Sequence, residues 1–241
     1  METASRSKWP SFFLAMAFVG LLATLVGFGK TFFVPVANGS FRAPVSVHIH
    51  GAFAFAWVIL FLIQPALIHV RNYRLHQYLG MLGLAVAAGV VITMVPAGVF
   101  VVQRELGQGL GEISYSGLLG VFTSGLLFFT LVLAGIINRK SPAAHKRLML
   151  LATIVVLWPA WFRFRHYFPS VPRPDIWFEL VLADSLILIA WIWDKMRNGR
   201  IHPVLFYVGS FIIVEQSLEI YFFGSQAYQA GEKWLYGLFG Y

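Results

Sequence analysis

Residues 113–138 read ISYSGLLGVFTSGLLFFTLVLAGIIN, without one charged side chain. A membrane-spanning helix needs about 20 mostly apolar residues, so this stretch predicts a transmembrane helix. Similar runs recur on both sides of it. The predicted spans are about 11–29, 45–68, 79–102, 113–138, 148–167, 176–193 and 204–223. Residues 1–241 then form a single transmembrane domain, an all-α bundle of seven helices built from a lead helix and three helical hairpins. Composition agrees. Of 241 residues, 59% are hydrophobic and 12% charged, against roughly 25% charged in soluble domains. With no Cys, a disulfide scaffold, thiolate-bound zinc, iron–sulfur clusters and c-type haem attachment are excluded. The net charge of +8 does not point to nucleic acid, because the basic residues sit mostly in short loops. The partner that the chain demands is the lipid bilayer.

Lys and Arg set the orientation. One side carries Arg6, Lys8, Arg71, Arg74, Arg139, Lys140, Lys146, Arg147, Lys195, Arg197 and Arg200. The other carries Lys30, Arg42, Arg104, Arg163, Arg165, Arg173 and Lys233. The excess predicts an N-terminus on the inner side and a C-terminus on the outer side of the membrane. The first apolar run is longer than a signal-peptide core and no tidy cleavage site follows it, so it reads as an uncleaved helix. Asn38-Gly39-Ser40 is an outer glycosylation sequon. Trp9, Trp177, Trp191, Trp193 and Trp234 lie near span ends, as an interfacial belt does.

The three hairpins share a pattern. HVRNYRLHQYLGMLGL (69–84), NRKSPAAHKRLMLLAT (138–153) and DKMRNGRIHPVLFYVG (194–209) each place a His just beyond a basic loop. His76, His145 and His202 therefore occupy equivalent positions at the inner starts of spans three, five and seven, as an internal repeat would place them. At a helix start an imidazole serves an interfacial or capping role, or acts as a ligand. Ser116, Gly120 and Ser124 form a small-residue stripe in span four, which lets helices approach closely. Pro65, Pro96 and Pro159 lie inside spans and are expected to kink them.

Polar groups within the spans mark the candidate site. Asp184 lies in span six, and Glu215 and Glu219 share one face of span seven. Unpaired charges near the bilayer centre cost about 2.5–3.5 kcal/mol each, so three carboxylates must be protonated, paired or bound to something. Arg163, Arg165 and His166 end span five on the same outer side, and His48 and His50 begin span two there. His50, Trp57 and Gln64 follow at seven-residue spacing on one face of span two. If spans two, five, six and seven adjoin, an outward-facing polar pocket forms from His50, Trp57, Gln64, Arg163, Asp184, Glu215 and Glu219. The bland alternative is a structural ion-pair network, chiefly Arg163 with Glu219 or Asp184.

Three chemistries fit such a pocket. Haem b between histidine pairs, His50 with His166 outside and His76 with His145 inside, would make a transmembrane electron path. A metal site would draw on His48, His50, His166, Glu215 and Glu219, although a His-x-His pair on an ideal helix points its rings about 200° apart. A proton-linked carrier would use Glu215 or Asp184 as its titrating group.

HIHGAFAFAW (48–57) followed by Gln64, then LHQYLG (75–80), AHKRLMLLAT (144–153), Asp184, Asp194 and GRIHPVLF (199–206) resemble, in this order, a widespread bacterial family of multi-pass membrane proteins. The resemblance covers roughly residues 44–210 and implies a multi-pass membrane protein, without implying a particular reaction. Where relatives usually read HRRLG, this chain has His76-Gln77-Tyr78-Leu79-Gly80. VEQSLEIY (214–221) is not part of the family pattern. His followed by Leu-Gly at a span start is also similar to membrane b-type cytochromes, a likeness that implies haem. The resulting expectation is a haem- or quinone-linked membrane redox subunit. A small-ligand or proton-linked carrier, or an accessory subunit of a larger membrane complex, is the alternative.

Overall fold

Seven helices in the computed structural model, which describes residues 11–239, are long and apolar enough to cross a membrane. They are α1 (Phe12–Ala37), α2 (Val45–His69), α3 (Tyr73–Gly107), α4 (Gly111–Lys140), α5 (Pro142–His166), α6 (Asp175–Asn198) and α7 (Pro203–Phe222). Among the described residues there is no strand. An eighth helix, α8 (Gln226–Phe239), was not expected from the sequence. Arg6, Lys8 and Trp9 lie outside the described residues.

Local chemistry sets where the helices start and stop. The Ser11 hydroxyl accepts from the Leu14 N–H at 3.3 Å to cap α1, and the Asn72 side chain accepts from the Leu75 N–H at 3.2 Å to cap α3. Proline at the first turn opens α5 and α7. Gly199, at φ 72°, ends α6 in the left-handed conformation that glycine tolerates best. Most helices run beyond the expected apolar cores. α3 reaches 35 residues because polar end turns carry on through the headgroup region.

The three prolines are accommodated in different ways. Pro65 and Pro96 are absorbed within α2 and α3. Around Pro159 the helix of α5 is interrupted at Leu157 and tightens into a 3₁₀ turn over Arg163–His166. α6 opens with a π-helical stretch, Asp175–Leu182, which ends beside Asp184.

α5 is the central element, touching α1, α4, α6 and α7. Leu151, Ala152 and Val155 on it have no exposed surface. Phe128 from α4, Ile187 from α6 and Ile212 from α7 join the same core. Leu22, Ile92, Leu126, Ile192 and Phe211 are exposed on the outside of the bundle, which is the surface that lipid covers. The α2–α3, α4–α5 and α6–α7 turns share one end of the bundle, the hairpin end. α8 sits at the other, the C-terminal end, against α4 and α3.

Candidate functional site

The polar groups gather into two centres, one at each end. At the C-terminal end the carboxylates lie as the helical spacing predicts, but without the expected arginines. Asp184 is 5% exposed, and neither carboxyl oxygen has a hydrogen-bond partner. Its neighbour in electrostatic terms is Glu215. Glu219 reaches α4, where its carboxylate fills the space left by the missing side chain of Gly120. The Tyr228 hydroxyl of α8 donates to Glu219 at 3.3 Å. Glu179 stands within Coulombic reach of both Glu219 and Arg165. Gln216, also buried, leaves its amide oxygen without a partner.

Arg163 does not join them. Its guanidinium donates to the Pro159 carbonyl at 2.7 Å and lies 4.2 Å from the centre of the Phe28 ring. Arg165 likewise donates to the Phe162 carbonyl and stacks over the Phe162 ring. Among the described residues no ion pair links Arg163 to Glu219 or Asp184. Arg163 instead turns back to the carbonyl four residues earlier, where the α-helix gives way to the 3₁₀ turn.

α8 supplies two groups that sequence reading missed. Glu232 has no exposed surface, and one of its oxygens accepts from the Gly117 N–H at 2.7 Å, at the start of the regular helix of α4. Its other oxygen has no partner. Burial raises the Glu232 carboxyl to about 7, although the Gly117 N–H works in the opposite direction. Burial, with Glu219 and Glu232 nearby, raises Tyr228 as well, so its phenol stays protonated as a donor. The available signal was Tyr228, Glu232, Leu235 and Tyr236 recurring at helical spacing.

The expected pocket face of α2 is divided by depth. Each of its three residues faces inward and is paired. The His50 Nδ1 lies 3.1 Å from the Thr93 hydroxyl, and the Trp57 indole N–H donates to Thr153 at 3.2 Å. Gln64 lies between Gly80 and His76, and with its amide turned to satisfy both it accepts from the Gly80 N–H at 3.0 Å and donates to the His76 ring. Fourteen residues of helix separate His50 from Gln64 by about 21 Å. Gln64 therefore belongs to the hairpin end, not to the outer pocket.

The expected metal set is not assembled. Among the described residues no three His, Asp or Glu side chains come together so as to hold a metal ion. His48 packs against Phe41 and Phe32, His50 turns to Thr93, and His166 is exposed. Successive turns of the helix send the His-x-His rings to different neighbours. Of the outer haem pair, His50 is turned to Thr93 and His166 is exposed.

At the hairpin end the opposite holds. The His76 and His145 rings lie edge to face with centroids 6.3 Å apart. The Gly135 carbonyl, an acceptor only, lies 2.8 Å from the His145 Nδ1, so that nitrogen carries the proton and Nε2 is bare. Beside this pair, Arg147 and Asp194 form a buried bidentate ion pair, 3% and 0% exposed. Asp194 also accepts from the Asn198 amide at 2.5 Å and from the His202 backbone N–H at 2.7 Å. His202 caps α7, its Nδ1 accepting from the Val204 N–H at 3.2 Å. Burial, then the Arg147 charge, holds the His202 imidazole below its ordinary value, which suits an acceptor.

No family model matches the chain, and neither a curated protein nor a solved structure matches it. The chain's own geometry carries the functional argument.

Proposed function

We propose that this integral membrane protein is a proton-linked carrier of a small ligand, with Asp184, Glu215 and Glu219 as its proton-binding centre. One observation carries the reading. Asp184 is buried within a spanning helix with both carboxyl oxygens unpartnered, while the nearby arginines are engaged elsewhere. A bare carboxylate at that depth costs about 2.5–3.5 kcal/mol, so the group rests with a proton or a cation bound. Glu219, held by Gly120 and Tyr228, lies between Asp184's helix pair and α8 and supplies a second acceptor. A proton bound here can exchange with the C-terminal side, and loading is expected to favour one arrangement of α6 and α7 over another.

The test uses the full chain in liposomes that enclose a pH-sensitive dye. Protein-dependent proton movement under an imposed pH difference is expected, with Asp184→Asn abolishing it and Glu215→Gln reducing it at normal membrane yield. Movement no faster than in empty liposomes, with no infrared band for a protonated carboxyl at neutral pH, sinks the proposal.

The second reading, a haem b- or quinone-linked redox subunit, is favoured by a different observation, the juxtaposed His76 and His145. His145 fits a haem ligand, because its Nδ1 proton is anchored on a carbonyl and Nε2 is bare. His76 receives the Gln64 amide on Nδ1, so ligation there requires Gln64 to turn its amide over. A reduced-minus-oxidised visible spectrum of the purified protein decides it. A b-type band supports this reading, and a colourless protein removes it.

A further inference from the structure

A recess of about 410 Å³ opens at the hairpin end, between the first turn of α1, the last turns of α2 and the first turn of α5. Its floor is apolar: Phe13, Pro65 and Ile68. Its rim carries the cations Arg71 and Lys146, beside His69. Among the described residues no carboxylate lies within ion-pair distance of Arg71 or Lys146. The Lys146 ammonium lies 5.0 Å from the centre of the Phe13 ring, with Asp194 within Coulombic reach. Arg71 sits at φ 62°, in the left-handed region that a non-glycine residue enters at a cost of about 1–3 kcal/mol. The turn holds that arginine at the rim despite the strain.

We infer that this recess binds the headgroup of an anionic membrane phospholipid, with the phosphodiester between Arg71 and Lys146 and the glycerol and first acyl carbons over Phe13, Pro65 and Ile68. Three properties select this ligand. The cations lie at a helix-end level, where headgroups lie in a bilayer, and basic pockets between spanning helices are known to take such headgroups. The volume falls in the range of about 300–1,000 Å³ typical of small-molecule sites. The apolar floor continues into the exposed Ile68 and Val70, so an acyl chain can leave along the lipid-facing surface. A free phosphate would leave that floor uncovered. The inference does not depend on the carrier reading, because the two sites lie at opposite ends of the bundle.

Native mass spectrometry of the detergent-purified full chain tests it, with phosphatidylglycerol and phosphatidylcholine of the same acyl chains. One phosphatidylglycerol retained per chain, in clear preference to phosphatidylcholine, is the expected result. Near a membrane surface each basic group is worth about 1 kcal/mol, so the double variant Arg71→Asn with Lys146→Gln should lower that retention roughly tenfold or more. Asn is chosen because it enters the left-handed region readily. Lys195→Gln, in the last turn of α6, should leave retention unchanged. Equal retention of both lipids, or displacement of phosphatidylglycerol by inorganic phosphate, overturns the inference. A photoactivatable phosphatidylglycerol on the unmodified protein gives a reading that does not depend on a variant folding. Crosslinks at residues 65–73 support the site, and crosslinks spread evenly over the bundle refute it.

Discussion

Arg147 and Asp194 show how a single pair can hold one end of a bundle together. Asp194 receives the guanidinium, the Asn198 amide and the His202 N–H, so one carboxylate ties α5, α6 and the start of α7. Removing one partner of a buried pair typically costs about 3–5 kcal/mol, because the other charge is left bare. Arg147→Met should therefore destabilise the protein by about that amount in a detergent unfolding titration. Arg147→Met combined with Asp194→Asn should recover part of the loss; no recovery would show that the geometry of the guanidinium matters more than its charge. Gly120 makes a similar argument at the other end. A methyl group there would meet the Glu219 carboxylate, and overpacking of this kind typically costs about 1–3 kcal/mol. Gly120→Ala is expected to lower the melting temperature, and Glu219→Ala in the same chain to restore most of it. If Gly120→Ala is silent, Glu219 is not held in that notch.

At the scale of elements, α8 is the unforeseen one, and its attachment should depend on pH. Glu232 is protonated more readily in the folded protein, at about 7, than an ordinary carboxyl. Between the ordinary carboxylate range and about 7 the folded state therefore binds the extra proton, so docking is firmest below that window and weakens as pH rises through it. Tyr228, Glu219 and the exposed Lys233–Glu112 pair share this surface. Two further carboxyls face α8, Glu219 at Tyr228 and Glu112 at Lys233, and Glu179 stands within Coulombic reach of Tyr228. Hydrogen exchange of the α8 amides is expected to be slower at pH 5 than at pH 8, once corrected for intrinsic rates, and Glu232→Gln should flatten the difference. Faster exchange at pH 5 would reverse the assignment. The seven spans were legible in the sequence because lipid forces every spanning segment to be long, apolar and helical. α8 was not legible by that test. It is short and polar on one face, and only its contacts with α4 and α3 explain why Glu232 is buried.

The whole molecule follows the same division between what periodicity reveals and what packing decides. The shared face of Glu215 and Glu219, the inward stripe of α2 and the placing of His76 and His145 at helix starts all follow from 3.6 residues per turn. Which of them meet does not. Arg163 turns to the Pro159 carbonyl and the Phe28 ring and not to the carboxylates, and the length of α2 carries Gln64 to the far end, where it joins the imidazole pair. Orientation is the remaining property that acts on the whole bundle, and the basic excess at the hairpin end predicts that this end is cytoplasmic. A chain without Cys allows a direct check by single-cysteine labelling. Ser141→Cys, in the exposed α4–α5 turn, should react with a membrane-impermeant maleimide only after the cells are opened. Gln108→Cys, in the exposed α3–α4 turn, should react in intact cells. The reverse pattern would place Arg71 and Lys146 in the outer leaflet and the Asp184 centre towards the cytoplasm. Protons driven inward across the membrane would then reach that centre from the opposite side.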